Sequence, residues 1–160
     1  MYKKIMVPLD GSQLAECVLP HVEAFIKGFN ISDVLLVRGM EPVNPDFRTL
    51  DNTFDGEIIR QVQEGWREKE KQREASVKDY LEKVAEHFTQ KTTTVHTKVL
   101  IGDVAENLAD YADSNDIDLI IMATHGHSGI TRWVMGSMAE KLFRSASVPV
   151  FMVRATEAKG

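Results

Sequence analysis

Five short apolar runs, separated by amphipathic helical stretches, constrain this chain more than any other feature of its sequence. Lys4 to Leu9 and Ile117 to Met122 are almost continuously apolar, as strands covered on both faces must be. Val34 to Val37, the β-branched stretch Thr92 to Ile101, and Val148 to Val153 complete a set of five predicted strands. Between the first two, Leu14, Cys17, Val18, His21, Val22, Phe25 and Ile26 recur at three and four residues, and Gly28 with Asn30 supplies a stop. A longer stripe runs through Ile59, Val62, Trp66, Val77, Tyr80, Leu81, Val84 and Phe88, with Glu74–Lys78 and Asp79–Lys83 at supportive spacing. Val104 to Ala112 and Ser137 to Ser145 read as the remaining helices. Strict alternation of strand and helix predicts an α/β fold, a parallel sheet with helices on both faces.

Composition narrows the functional classes. With 160 residues, 43% hydrophobic and 27% charged, the chain is about one globular domain long. Nineteen Lys and Arg against 24 Asp and Glu leave a net charge of −5, which provides no basic field for nucleic acid. Cys17 is the sole cysteine, so neither an internal disulfide nor a multi-cysteine zinc site is available. The start has no signal-peptide core, and no apolar run approaches a membrane span. The expectation is a soluble cytoplasmic protein with no membrane partner. Glu41 to Gly56, rich in Pro, Asn and Asp, reads as a loop and the most mobile segment, and 155–160 as a flexible tail.

Sheets of this kind bind ligands beyond the carboxyl ends of their strands, where the winding reverses. That directs attention to Asp10-Gly11-Ser12 and to Ala123 through Ser137. Asp10 can face a ligand's base or ribose, or it can cap a helix in a box with Gln13; Asp103 with Glu106 and Ser137 with Glu140 show the same capping spacing. Asp103 serves as the control, since its strand is expected to border no crevice. The stretch from Ala123 to Ser137 joins a buried strand to a helix through Gly126, Gly129 and Gly136. Glycines admit close main-chain approach, and a helix N-terminus attracts phosphate. The loop is not a Walker loop, because Met138 stands where lysine is required, nor does it have dinucleotide G-x-G-x-x-G spacing. Ser128 is not framed as a nucleophile elbow. His125 and His127 lack the further ligands of a metal site, and Arg132 and Trp133 fit an exposed cation and a packed ring as well as ligand contacts.

The same residues resemble the single-domain universal stress protein family. The resemblance covers Lys4 to Arg154, and is carried by Ile5-Met-Val-Pro-Leu-Asp-Gly-Ser12, Ile101-Gly-Asp103, Asp118 through Gly126, Gly136-Ser-Met-Ala-Glu-Lys-Leu142 and Val148-Pro-Val-Phe-Met-Val153. It implies one domain over 1–154 and a Rossmann-like, nucleotide-binding fold: a five-stranded parallel sheet in the order 3-2-1-4-5. Nucleotide-binding members of the family carry glycine, two residues, glycine, nine residues, glycine and Ser or Thr. Here Gly126, Gly136 and Ser137 match, while Ala123 replaces the first glycine. By resemblance the ligand is ATP or AMP, with Mg2+ as an optional companion. Pro8 and Asp10 would border the adenosine, Met122 and Ala123 the base or ribose, and Gly126, Gly136, Ser137 and Met138 the phosphates. Leu9, Val37, His125 and Ala139 complete the implied site. Arg38 stands where relatives have apolar residues, placed either to crowd the base or to reach the phosphates.

The resemblance also implies a homodimer through Val148 to Val153, an apolar run at a predicted sheet edge. The leading functional expectation is a dimeric, adenine-nucleotide-binding stress-response module with no efficient catalysis. The alternatives are a slow ATP hydrolase or phosphotransfer enzyme, and a docking module that needs no nucleotide.

Overall fold

The computed structural model describes residues 1–43, 55–88, 92–125 and 136–155, with His125 described in its backbone alone. Five parallel strands, β1 (Lys4–Pro8), β2 (Asp33–Met40), β3 (Thr94–Ile101), β4 (Leu119–His125) and β5 (Val150–Ala155), lie in the spatial order β3-β2-β1-β4-β5. Four helices connect them: α1 (Leu19–Phe29), α2 (Gly56–Ala85), α3 (Val104–Ser114) and α4 (Ser137–Ser145). The chain winds outward from β1 in one direction to β3 and then in the other to β5, so the reversal falls between β1 and β4.

Alternation of side chains across the sheet sorts the core into two layers. Ile5, Val7, Val34, Leu36, Leu119 and Ile121 meet Val22 and Ile26 of α1 and Leu81 and Val84 of α2 on one face. Met6, Leu35, Val37, Ile120 and Met122 meet Leu108 and Ala112 of α3 and Leu142 of α4 on the other. The continuous apolar run in β1 is therefore the signature of a central strand with both faces covered. Asp118 fastens its start, one carboxylate oxygen accepting from the Lys3 and Lys4 amides at 2.7 and 2.9 Å.

Several boundaries differ from the sequence expectations for identifiable reasons. The first helix begins as a 3-10 turn over Ala15–Val18 and becomes α-helical only at Leu19. Pro20 has no N–H to donate one turn back, which leaves the preceding residues in the tighter turn. At the other end the expected stop holds, with Asn30 in the left-handed region at φ 54°. The last strand begins at Val150 rather than Val148, after Pro149, which accepts from the Ile120 amide through its carbonyl but cannot donate. The second strand runs three residues past Val37, pairing Arg38, Gly39 and Met40 with Val99, Leu100 and Ile101. Lys78 approaches Glu82 at 3.8 Å, a pair one turn on from the expected partner Glu74. Of the expected loop, 44–54 lies outside the described residues, as do 156–160 of the tail.

Only the C-terminal part of the 30-residue α2 covers the sheet; its buried residues are Val77, Leu81 and Val84. Among the described residues no helix is long and apolar enough to cross a membrane.

Gly39 shows how closely α3 approaches the sheet, because a Cβ there would overlap both methyl groups of Val104. Gly39→Ala should destabilise the fold by about 1–3 kcal/mol, the usual cost of overpacking. Gly39→Ala combined with Val104→Ala should recover much of that loss. Urea unfolding of the two variants measures both effects, and equal stability of the single and double variants would contradict the close approach.

Candidate functional site

The carboxyl ends of three strands and the first turns of two helices enclose a cleft of about 460 Å³. Pro8, Leu9 and Asp10 follow from β1, Met122 and Ala123 from β4, and Gly136, Ser137, Met138 and Ala139 from the start of α4. These nine residues, drawn from three separate segments, are among those that the sequence nominated. Arg38, Gly39 and Glu41 at the end of β2, Ala15, and Val104 and Leu108 of α3 complete the lining.

Three nominated positions stand differently. Val37 contributes no side chain to the cleft: it is fully buried on the α3 and α4 face, and its carbonyl accepts from the Leu9 amide at 2.8 Å. His125 ends β4, its backbone in register with Ala155. Gly126 lies outside the described residues, together with the rest of the glycine loop up to 135, including His127, Ser128, Arg132 and Trp133.

The capping expectations separate cleanly. Asp103 caps α3 as its spacing predicts, accepting from the Glu106 amide at 3.1 Å. Asp10 does not form a box with Gln13. Its Oδ1 accepts from the Ser12 amide at 2.8 Å and from the Ser12 hydroxyl at 2.6 Å, and the Ser12 Oγ in turn accepts from the Ala15 amide at 3.1 Å. Asp10 thus anchors a tight turn at the mouth of the cleft. Ser137 is not the cap of α4 either. Gly136 occupies that position with no side chain to give, and the first helical bond runs from the Glu140 amide to its carbonyl at 2.9 Å. Helix geometry leaves the amides of Ser137, Met138 and Ala139 without partners inside α4, and all three residues border the cleft. Among the described residues, a Cβ on Gly136 would meet no atom within 4 Å.

Arg38 continues the parity of Val34 and Leu36 and projects toward α2. Its guanidinium carbon lies 5.9 Å from the Tyr80 ring centroid. The turn beneath it requires Gly11, which has φ +84° and whose Cβ would come within 2.6 Å of Arg38 Nη1. Arg38 therefore flanks the end of the cleft remote from α4. Tyr80 is fixed from behind by donating to Glu16 Oε1 at 3.0 Å. Burial, followed by the Glu16 carboxylate, pushes its phenol well above the usual tyrosine range.

The Val104 and Leu108 contributions were missed because β3 was expected to border no crevice. A signal for them existed in the topology. To pass from β3 at one edge to β4 beyond β1, a right-handed crossover must carry α3 over β2 and β1, which brings its first turn to the cleft.

A doubly wound α/β fold with a cleft at its winding reversal defines the class of domain that seats a small ligand at the strand ends. Within that class the chain belongs to the universal stress protein family, whose family model matches residues 1–154. It is 32% identical over 154 residues to the universal stress protein MJ0531 of Methanocaldococcus jannaschii, covering 96% of this chain and 83% of that one. The structure of MJ0577 from the same organism superimposes with a TM-score of 0.61 at 26% identity, covering 99% of both chains. A family member from Arabidopsis thaliana, solved with AMP bound, shares the fold with a TM-score of 0.58 at 13% identity, over 96% of this chain and 92% of that one.

Tyr80 yields a prediction of pH dependence. A phenol whose ionisation is raised by folding contributes stability that is fully present below pH about 10 and is lost as pH rises beyond that value. The melting temperature should fall above pH 10, and Tyr80→Phe should make that fall shallower. Parallel slopes for the two proteins would rule the coupling out.

Proposed function

We propose that this protein binds an adenine nucleotide in the cleft between β1 and β4 and acts as a dimeric stress-response module. The observation that carries the reading is the first turn of α4. Its first three residues and the N-cap Gly136 line the cleft, and Gly136 brings no side chain into it. That is the arrangement in which a helix N-terminus receives phosphate. Asp10 and Pro8 would border the adenosine, Met122 and Ala123 the ribose or base, and Gly136, Ser137, Met138 and Ala139 the phosphate, while the family pattern adds Gly126 and His125. Adenine rather than another base is favoured by the family relationship and by AMP in the Arabidopsis relative. ATP, with Mg2+ as an optional companion, is the alternative occupant to AMP. Binding without efficient turnover suits Asp10, whose Oδ1 is already engaged by Ser12.

The first test is the nucleotide content of protein purified without added ligand, followed by calorimetric titration of the stripped protein with ATP and AMP. Stoichiometric adenine nucleotide or micromolar binding is the expected result. Gly136→Val should weaken binding at least tenfold while leaving the circular dichroism spectrum unchanged, since Gly136 lines the cleft and a Cβ there would meet no described residue within 4 Å. Failure of both nucleotides to bind the stripped protein would remove the reading.

The dimer would form through β5, which ends the sheet and half-exposes Phe151 beside Phe25 and His21. An unpaired strand edge invites a second copy. Sedimentation at micromolar concentration should give about twice the monomer mass of 18.0 kDa; a monomer would count against the dimer and leave the nucleotide site standing.

A further inference from the structure

A second chamber of about 480 Å³ adjoins the cleft at the end of β2, closed on the α2 side by Arg73, Ser76 and Val77. Among the described residues Arg38, Gly39, Glu41 and Val104 border both chambers, so these four form the partition between them. Three of them give it little substance. Gly39 has no side chain, Val104 packs over Gly39, and Glu41 is exposed. The partition is therefore largely the half-buried Arg38 side chain. Its position is fixed from two sides. Nη1, Cζ and Nη2 lie 2.6, 3.1 and 3.4 Å from where a Cβ on Gly11 would stand, and Cζ lies 5.9 Å from the centre of the Tyr80 ring. Tyr80 is itself held by Glu16. A guanidinium seated between the turn after β1 and an aromatic ring is restrained from swinging aside as a fully exposed arginine does.

The part of a nucleotide that meets this wall follows from how the cleft is built. The start of α4, which would take the phosphate, belongs to the helical layer of Met138 and Leu142, whereas Arg38 reaches toward Tyr80 in the opposite layer. Gly11, against which the guanidinium lies, follows Asp10, which borders the adenosine in the reading above. In a purine nucleotide the edge that carries the exocyclic amine is remote from the glycosidic bond, and so from the 5′-phosphate. We infer that Arg38 is a specificity-determining residue: its side chain ends the base pocket and excludes purines enlarged at the exocyclic amine. The inference rests on the nucleotide reading and adds a size limit to it. Without that side chain the base pocket opens into the second chamber, and a substituent on the amine gains room. The backbone register of residue 38 with Val99 asks for no particular side chain, so the strand tolerates the change.

The test is calorimetry of stripped wild type, Arg38→Ala and Arg73→Ala with AMP, ATP, the N6-benzyl derivative of each, and AMP carrying a methylanthraniloyl group on its ribose. Wild type should bind the N6-benzyl nucleotide about tenfold or more weakly than its parent, the discrimination that overpacking at one contact gives. Arg38→Ala should bring parent and derivative within about threefold of each other. The ratio is the readout, because a general loss of binding lowers both affinities and leaves it unmoved. Arg73 lines the second chamber and not the cleft, so Arg73→Ala should keep the wild-type ratio. Thermal unfolding checks that both variants remain folded. Equal binding of parent and derivative by wild type, an unchanged ratio in Arg38→Ala, or the same relief in Arg73→Ala would overturn the inference while sparing the nucleotide site. Relief in Arg38→Ala for the ribose-substituted nucleotide in place of the N6-benzyl one would overturn it too, by putting the ribose at the wall. Failure of both AMP and ATP to bind wild type would remove the nucleotide site and the inference with it.

Discussion

The pairing of β1 with β4 is the constraint from which the rest of the molecule follows. Ile5 stands opposite Leu119 and Met6 opposite Ile120, although more than a hundred residues separate the partners in sequence. Both strands are parallel and buried on both faces, so each face needs a helical layer. Winding away from β1 in one direction and returning on the other side of it divides the helices, α1 and α2 against one face, α3 and α4 against the other. The same reversal leaves a space between the ends of β1 and β4 that no crossover fills. Core and cleft are two results of one topological choice.

The cleft is chemically asymmetric for the same reason. One end is made by the start of α4, where backbone amides and a glycine cap dominate. The other is made by the end of β2, where Arg38 projects toward α2. Because Gly11 has a left-handed backbone and no side chain, the turn after β1 can pass beneath Arg38 without displacing it.

Much of this was legible in the sequence, and the exceptions have physical explanations. The run Ile5-Met6-Val7 identifies a central strand because covered faces remove the need for polar alternation. Nine nominated residues converge because strand ends at the reversal point of a parallel sheet must be neighbours. Val37 does not line the cleft because it lies below the strand end, fully buried against the α3 and α4 layer, whereas Arg38 and Gly39 beyond it reach the rim. The meeting of Val104 with Gly39, or of Arg73 with Glu41, depends on how far one helix leans toward a strand end 32 or more residues away. Local pattern carries no information about such an approach. The capping spacings illustrate the same limit, since Asp10, Asp103 and Ser137 share a pattern, yet only Asp103 lies where the chain turns directly into an α-helix with a free first turn to receive it.

The length of α2 has a dynamic consequence. Its 30 residues extend for about 45 Å, but none of the first 21, from Gly56 to Ser76, is buried. Amide hydrogens in that outer part are protected mainly by the helix's own ladder and a few surface contacts, such as Arg73 on Glu41 and Lys69 over Trp66. Those near Val77, Leu81 and Val84 are released only when the core itself opens. Hydrogen exchange along this single helix should therefore fall into two regimes, fast by local fraying in the outer turns and slow by global unfolding in the inner ones, with the change near Arg73, where the helix meets the end of β2.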